Sequence, residues 1–177
     1  MAEAAEAPVG LERARHLDLE GRARHEWVRR LALLVLLAVV VIALVGAVGQ
    51  QDHRTTADSP QASLTVSSPA HVRGGLVFTT EIDVVAHTSV SDMRLVLAPG
   101  WFAGMSLNGI APQPGDESSR DGSVEYTYGP VNAGKTFRAW ISWQTNPTTV
   151  GRRDQDVQLL DGDRALAAVH RTLTVLP

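Results

Sequence analysis

The sequence has 177 residues with no cysteine, and its 16 basic and 19 acidic side chains give a net charge of −3. The lack of cysteine excludes disulfide bonds, thiol catalysis and thiolate metal sites. The part of the chain beyond residue 49 has more acidic than basic side chains, so it offers no basic field suited to nucleic acid.

Residues 1–30 are predicted to be a cytoplasmic stub that is partly helical. The first nine residues are rich in Ala and Glu and are expected to be disordered. Three acid–arginine pairs at a spacing of four then favour a solvated helix; they are Asp18–Arg22, Glu20–Arg24 and Glu26–Arg30. The alternative is that this helix binds a partner.

The apolar run from Leu31 to Gly49 is predicted to be a transmembrane helix. Its nineteen residues carry no charge. As a helix rising about 1.5 Å per residue, the run would be roughly 28 Å long, close to the roughly 30 Å hydrocarbon core of a bilayer. Six arginines lie in residues 12–30, but only Arg54 lies in the nineteen residues after the run. The positive-inside rule therefore predicts a cytoplasmic N-terminus and an extracytoplasmic C-terminus.

Two other interpretations of this run stay open. A cleaved signal peptide would use the small-x-small site at Ala47-Val48-Gly49, but the apolar core of such a peptide is usually about 7–15 residues long. A buried helix of a soluble protein would need other apolar helices around it, and the sequence predicts none. We therefore expect an uncleaved single-pass anchor in the cell membrane.

The rest of the chain is predicted to be mainly β. Residues 50–61 are polar and are predicted to be a short linker between the bilayer and an extracytoplasmic domain. From residue 62 the hydrophobic pattern has a period of two, which indicates antiparallel strands with one buried face. About seven short strands over residues 62–177, punctuated by Gly, Pro, Asn and Asp, predict an Ig-like antiparallel β-sandwich.

Two segments of this domain are distinctive. Residues 99–122 do not alternate, and they are predicted to be a long loop or a weak strand over one end of the sandwich. Asp161-Gly162 lies between two alternating runs and predicts a tight hairpin turn. The second run of this hairpin is expected to continue as one strand to residue 175. A calcium loop at residues 161–163 is the alternative, but it lacks further acidic ligands.

Two turns carry a family resemblance. Pro99-Gly100 ends one predicted strand, and Pro130-Val131-Asn132-Ala133-Gly134 precedes another. The segment of residues 65–177 that contains them resembles the bacterial extracytoplasmic Ig-like domains of the CARDB and conserved-repeat type. The resemblance implies an Ig-like sandwich without catalytic residues. Such domains usually occur as repeats in large surface proteins, whereas this sequence has a single copy.

The residues that could carry chemistry are scattered. The sequence has no Gly-x-Ser-x-Gly elbow, no His-Glu-x-x-His motif and no phosphate loop, so we predict a non-enzyme without a cofactor. Histidines and methionines could together bind copper, but none lies at a short paired spacing, and no metal site is predicted. The residues in question are His53, His71, His87, His170, Met93 and Met105.

The segment 136–144 gives the main interaction candidates. If its apolar alternate residues face the core, Arg138 and Trp140 face solvent. Trp140 then either stacks with an arginine in a cation–π contact or is exposed for contact with a binding partner. An Ig-like strand order would place Arg94 in the same sheet as these two residues.

The same strand order predicts a division of charge between the two faces of the sandwich. The acidic residues of the other sheet would form an acidic face opposite the basic and aromatic one; they are Glu81, Asp83 and Glu125. This division depends on the register, because a slip of one residue exchanges the faces.

Trp101 and Phe102 follow the Pro-Gly turn and are the remaining candidates. One interpretation is a plug that closes the end of the sandwich. The other is a loop that contacts a protein, a glycan or a lipid surface.

These patterns predict a non-enzymatic single-pass membrane protein of the bacterial cell envelope. Its outer domain is predicted to be a protein-interaction or scaffold module, with an envelope or membrane protein as its partner in addition to the lipid bilayer. The alternative is a module that binds the cell wall or another glycan, because exposed tryptophan side chains stack on sugar rings. No nucleic-acid partner is expected.

Overall fold

A computed structural model describes residues 12–44 and 51–177, with the side chains of the first segment described from residue 26 to residue 42. The chain divides into two compact units, Met1–Gly49 and Gln50–Pro177. In the first unit the structure describes one helix, α1 (Glu12–Leu44), which runs from the charged segment into the apolar run.

The predicted span is described only in part. Its residues 45–49 lie outside the described residues, as do residues 1–11 of the predicted stub. No helix within the described segments has both the length and the apolar character needed to cross a membrane.

The second unit is built from strands and one short 3-10 helix, η1 (Pro99–Trp101). Its strands are β1 (Asp52–Asp58), β2 (Ala62–Pro69), β3 (His71–Arg73), β4 (Val77–Ala86), β5 (Val90–Leu97), β6 (Met105–Ala111), β7 (Asp116–Arg120), β8 (Ser123–Val131), β9 (Thr136–Thr145), β10 (Gly151–Asp154), β11 (Val157–Asp161), β12 (Arg164–Val169) and β13 (Thr172–Leu176).

These strands form three sheets. Sheet A has the order β1-β2-β4-β9-β6, sheet C has the order β12-β11-β5-β8-β7, and the small sheet B has the order β10-β13-β3. The pairs are antiparallel, except that β13 runs parallel to β3. The prediction of a mainly β, antiparallel sandwich is confirmed.

The core follows from alternation on the central strands of the two large sheets. On β4 and β9 every second side chain is buried, including Ile82, Ile141 and Trp143. On β5 the same alternation buries Met93 and Leu95. A period of two puts these side chains on one face of each sheet, and the two faces together form one hydrophobic cluster.

The strand count of about seven was too low, because strands with few buried residues were missed. Residues 50–61, predicted to be a linker, contain the edge strand β1. β1 carries little hydrophobic pattern because most of it is exposed and it pairs through polar groups, such as Thr56 Oγ1 and Thr65 Oγ1 at 2.9 Å. The predicted loop 99–122 likewise contains η1 and two edge strands, β6 and β7.

The C-terminal hairpin was predicted correctly at its turn but not at its end. β11 and β12 pair through Asp161 and Arg164, and Gly162 has a positive φ of 58° in the turn. The second run does not continue as one strand. It breaks after Val169, and β13 leaves sheet C to join sheet B.

Candidate interaction surface

Trp140 is the central residue of the outer face of sheet A. It lies on β9, whose inward side chains are buried, and its own side chain is 46% exposed. β9 runs between β4 and β6, so Trp140 has Glu81 on one side and Ala111 on the other. The predicted inward and outward residues of this strand are confirmed.

Arg138 is held beside Trp140 by two carboxylates of the neighbouring strand. Its guanidinium bonds Asp83, and its Nε lies 2.9 Å from Glu81 Oε1. Its Cζ lies 5.9 Å from the centre of the Trp140 ring, within reach of a cation–π contact. The hydrogen bond with Asp83, together with the charges of both acids, raises the pKa of Arg138 above its ordinary value. The arginine is therefore fixed in charge and in position.

The rest of this face carries many hydroxyl groups. Outward side chains from β1, β2, β4 and β9 surround the Trp140–Arg138 pair at alternate positions of the ladder. Their hydroxyl-bearing members are Thr56, Ser63, Thr65, Ser67, Thr79, Thr136 and Ser142. Val77 and Val85 of β4 are exposed on the same side. Hydroxyl groups both donate and accept hydrogen bonds, so this face, which we call the Trp140 face, can contact a partner through polar groups and through its exposed apolar side chains.

Arg94 does not belong to the Trp140 face. It lies on β5 in sheet C, where it pairs with Asp92 at 2.6 Å and with Glu125 at 3.0 Å. The hydrogen bond with Asp92 is the main cause of the raised pKa of Arg94. The predicted division into a basic face and an acidic face is therefore wrong. Each of the two sheets pairs its arginine with its own carboxylates, because β4 is the neighbour of β9 and carries Glu81 and Asp83 into the same sheet as Arg138.

Trp101 and Phe102 form the plug rather than an exposed loop. The Trp101 side chain is completely buried and stacks on Trp143, with ring centroids 5.3 Å apart. Phe102 is partly buried and meets Trp143 edge-on at 5.4 Å. Trp101 is thus unavailable to a partner in the folded domain, and of the five predicted contact residues only Trp140 and Arg138 share one surface.

The histidines are placed apart. His87 Nε2 lies 2.9 Å from Ser63 Oγ, and His170 Nδ1 lies 2.8 Å from Asp156 Oδ2. Met93 is buried in the core. Over the described part of the chain, no three His, Cys, Asp or Glu side chains come together in a group that could hold a metal ion.

Glu81 and Asp83 are the members of the Trp140 face that sequence reasoning placed wrongly. Their outward alternation on the predicted strand 76–86 was readable, and it is confirmed. The missing information was which strand lies next to which. Opposite charges at facing positions, Asp83 and Arg138, are the one signal that could have suggested the pairing of β4 with β9.

Comparison with known proteins gives distant matches to solved structures. No protein-family model and no curated protein matches the sequence. The structure of CaCohA2 from Clostridium acetobutylicum is similar at 13% identity and a TM-score of 0.47, covering 67% of this chain and 92% of that one. A non-cellulosomal cohesin from Archaeoglobus fulgidus is similar at 10% identity and a TM-score of 0.40, with 71% and 93% covered.

A third solved structure belongs to the class that the sequence resembles. The CARDB domain of the PF1109 protein from Pyrococcus furiosus, determined in complex with di-metal ions, has 9% identity and a TM-score of 0.38, with 71% and 94% covered. At these identities and scores the likeness is confined to the general arrangement of strands.

Proposed function

We propose that this chain is a non-enzymatic, single-pass membrane protein whose β-sandwich binds a partner protein of the bacterial cell envelope through the Trp140 face. One observation carries the proposal. A half-exposed tryptophan stands on a central strand, beside an arginine that two carboxylates hold in place.

The energetics of interfaces support this choice of surface. Tryptophan and arginine are enriched among the few residues that dominate binding free energy. When a partner binds, each side chain that becomes fixed at the interface loses conformational entropy. Arg138 is already fixed by Asp83 and Glu81, so a partner that covers Trp140 would lose less entropy there.

The alternative, a glycan-binding module, is less well supported by the aromatic side chains. The sequence has four tryptophans. Trp101 and Trp143 are stacked on each other in the core, so Trp140 is the one tryptophan of strands β1 to β13 with a ring open to solvent. A polysaccharide would therefore have a single ring on which to stack.

The proposed membrane anchor is supported by the character of α1. Its side chains from Leu31 to Ile42 are apolar and exposed around the whole circumference of the helix. A helix that is apolar on every side belongs in a large protein core or in a bilayer. The arginine-rich segment before it favours a cytoplasmic N-terminus and an extracytoplasmic β-sandwich.

The test is site-specific photo-crosslinking of the full chain in cells. A photoreactive residue at Thr79, two positions along β4 from Glu81, should give a protein adduct, and the adduct should disappear when Trp140→Ala is added. The matched control is a photoreactive residue at Gln158, an exposed position on sheet C, which should give no such adduct.

Two kinds of outcome would reject the proposed function. The absence of a protein adduct at Thr79, or an equally strong adduct at Gln158, would show that the Trp140 face is not the binding surface. Retention of the full chain on isolated cell wall, lost with Trp140→Ala while no protein adduct forms, would favour the glycan module instead.

A further inference from the structure

The outer face of the small sheet B combines aliphatic and basic side chains. Val150, Arg152 and Leu176 project near one another through the pairing of β10 with β13, and β3 adds His71 and Arg73. Val150 is 51% exposed and Leu176 is 42% exposed. The turn that follows β3 adds Leu76, which is 45% exposed.

The arginines of sheet B differ from those of the two large sheets. Arg138 pairs with two carboxylates and Arg94 with three. Arg73, Arg152 and Arg153 form no ion pair within 4 Å anywhere in residues 51–177. Arg153 instead bonds the carbonyl oxygens of Ala103, Arg152 and Val150. Arg153 pairs with the buried Leu173 and so projects from the other side of β10, whereas Asp154 pairs with the exposed Thr172 on the same side as Arg152. The outer face therefore carries two arginines, Arg73 and Arg152, and one carboxylate, Asp154.

Sheet B also lies where the chain enters the sandwich. The first residue of β1, Asp52, pairs with Pro69, and β3 begins two residues later at His71.

We infer that the outer face of sheet B, with Leu76, binds an anionic lipid surface. Unpaired arginines are attracted to anionic headgroups, and neighbouring aliphatic side chains enter the interface between headgroups and acyl chains. The inference rests on the proposed membrane anchor.

The absence of cysteine makes the test direct, because one introduced cysteine gives one labelling site. Thr174→Cys places an environment-sensitive fluorophore in the middle of the sheet B face, between Arg152 and His71. Thr88→Cys places the same fluorophore in the β4–β5 turn, at the other end of the ten-residue strand β4. The full chain is reconstituted into vesicles of phosphatidylcholine with or without phosphatidylglycerol, and the quencher is a spin label attached to the lipid headgroup.

The inference predicts strong quenching at Thr174→Cys, weak quenching at Thr88→Cys, and a difference that grows with phosphatidylglycerol and shrinks with salt. Each arginine near an anionic surface strengthens the contact about five-fold. The double variant Arg73→Gln/Arg152→Gln should therefore lower the equilibrium constant for surface contact by about 25-fold in anionic vesicles. Arg164→Gln, an exposed arginine at the start of β12, is the matched control and should leave quenching unchanged.

Failure of the inference and failure of the anchor give different results. If the chain floats with the vesicles after a carbonate wash but both labels are quenched equally, the lipid contact of sheet B is wrong and the anchor stands. If the chain does not float with the vesicles, the anchor is wrong and the lipid contact falls with it. Unchanged thermal unfolding of the double variant shows that lost quenching does not come from lost folding.

Discussion

Trp101 stacks on Trp143 with their ring centroids 5.3 Å apart, and this contact joins the turn after β5 to the central strand β9 of the opposite sheet. Trp101 Nε1 also donates a hydrogen bond to the carbonyl oxygen of Asp156 at 3.1 Å, and the guanidinium of Arg171 lies over the ring at 5.7 Å. One side chain thus links three separate segments of the core.

Replacing this side chain should be among the most damaging single changes in the domain. Trp101→Ala removes a completely buried indole, and such truncations cost about 3–5 kcal/mol in the free energy of unfolding. Urea unfolding of the full chain in detergent measures the loss. Trp140→Ala is the matched control, because it removes the same side chain from the surface and is expected to cost less than about 1 kcal/mol. Equal losses in the free energy of unfolding from the two substitutions would contradict the role of Trp101 as a buried plug.

Gly100 allows the same turn to approach β10. A Cβ at Gly100 would collide with the carbonyl oxygen of Asp154, a backbone atom that cannot rotate away. Gly100→Ala should therefore destabilise the domain by more than about 2 kcal/mol, the cost of overpacking against rigid backbone. Gly109→Ala is the control, since nothing lies within 4 Å of its Cβ position and its φ is not positive. It should leave the urea midpoint unchanged or raise it.

The two tyrosines of the chain, Tyr126 and Tyr128, make its stability sensitive to alkali. Burial raises the pKa of Tyr126 to about 12 and also raises that of Tyr128. Because the folded state holds these protons more tightly than the unfolded state, their contribution is complete below pH 10 and is lost as the pH rises towards 12. Tyrosinate absorbance at 295 nm should therefore appear together with unfolding and not before it.

A variant separates burial from hydrogen bonding at these tyrosines. The Tyr128 hydroxyl is buried and has no hydrogen-bond partner among the described protein groups, so Tyr128→Phe should keep or increase the free energy of unfolding at pH 7. It should also extend the stable range to higher pH. A loss of more than about 1 kcal/mol would mean that the hydroxyl does have a partner.

Asp161 should make the hairpin turn sensitive to acid. Its Oδ1 accepts hydrogen bonds from the Asp92 N–H, the Ser91 hydroxyl and the Ser91 N–H at 2.8–2.9 Å, and these bonds lower the pKa of Asp161. The stabilisation is present above the ordinary aspartate pKa and is lost as the pH falls through the lower, folded value. Asp161→Asn is expected to cost about 1–2 kcal/mol at pH 7 and less at pH 3, measured by urea unfolding. Asp163→Asn, whose side chain is fully exposed, should change little at either pH.

The sequence predicts those parts of the fold that depend only on the residues of a single strand or turn. On β9 the alternation alone separates buried Ile141 from exposed Trp140, and at Asp161-Gly162 the local turn chemistry is sufficient. The edge strands β6 and β7 were hidden because most of their residues are exposed on both faces, which removes the period of two.

For the candidate surface, the sequence predicts which side chains of one strand face solvent, but not which strands lie next to each other. The sequence placed Arg138 beside Trp140, since they are two residues apart on β9. It placed Arg94 on the wrong sheet, because the neighbours of a strand are fixed by long-range pairing, such as that of β4 with β9 and of β5 with β8. Periodicity contains no information about that choice.

The parallel pairing of β13 with β3 has a consequence for how the protein is made. His71 lies beside Thr174, so a strand that is synthesised late pairs with one that is synthesised about a hundred residues earlier. Leu173 and Val175 of β13 are buried, and the core therefore stays open to water until residues 172–176 have left the ribosome. During that interval a chaperone or a protease meets an incomplete sandwich.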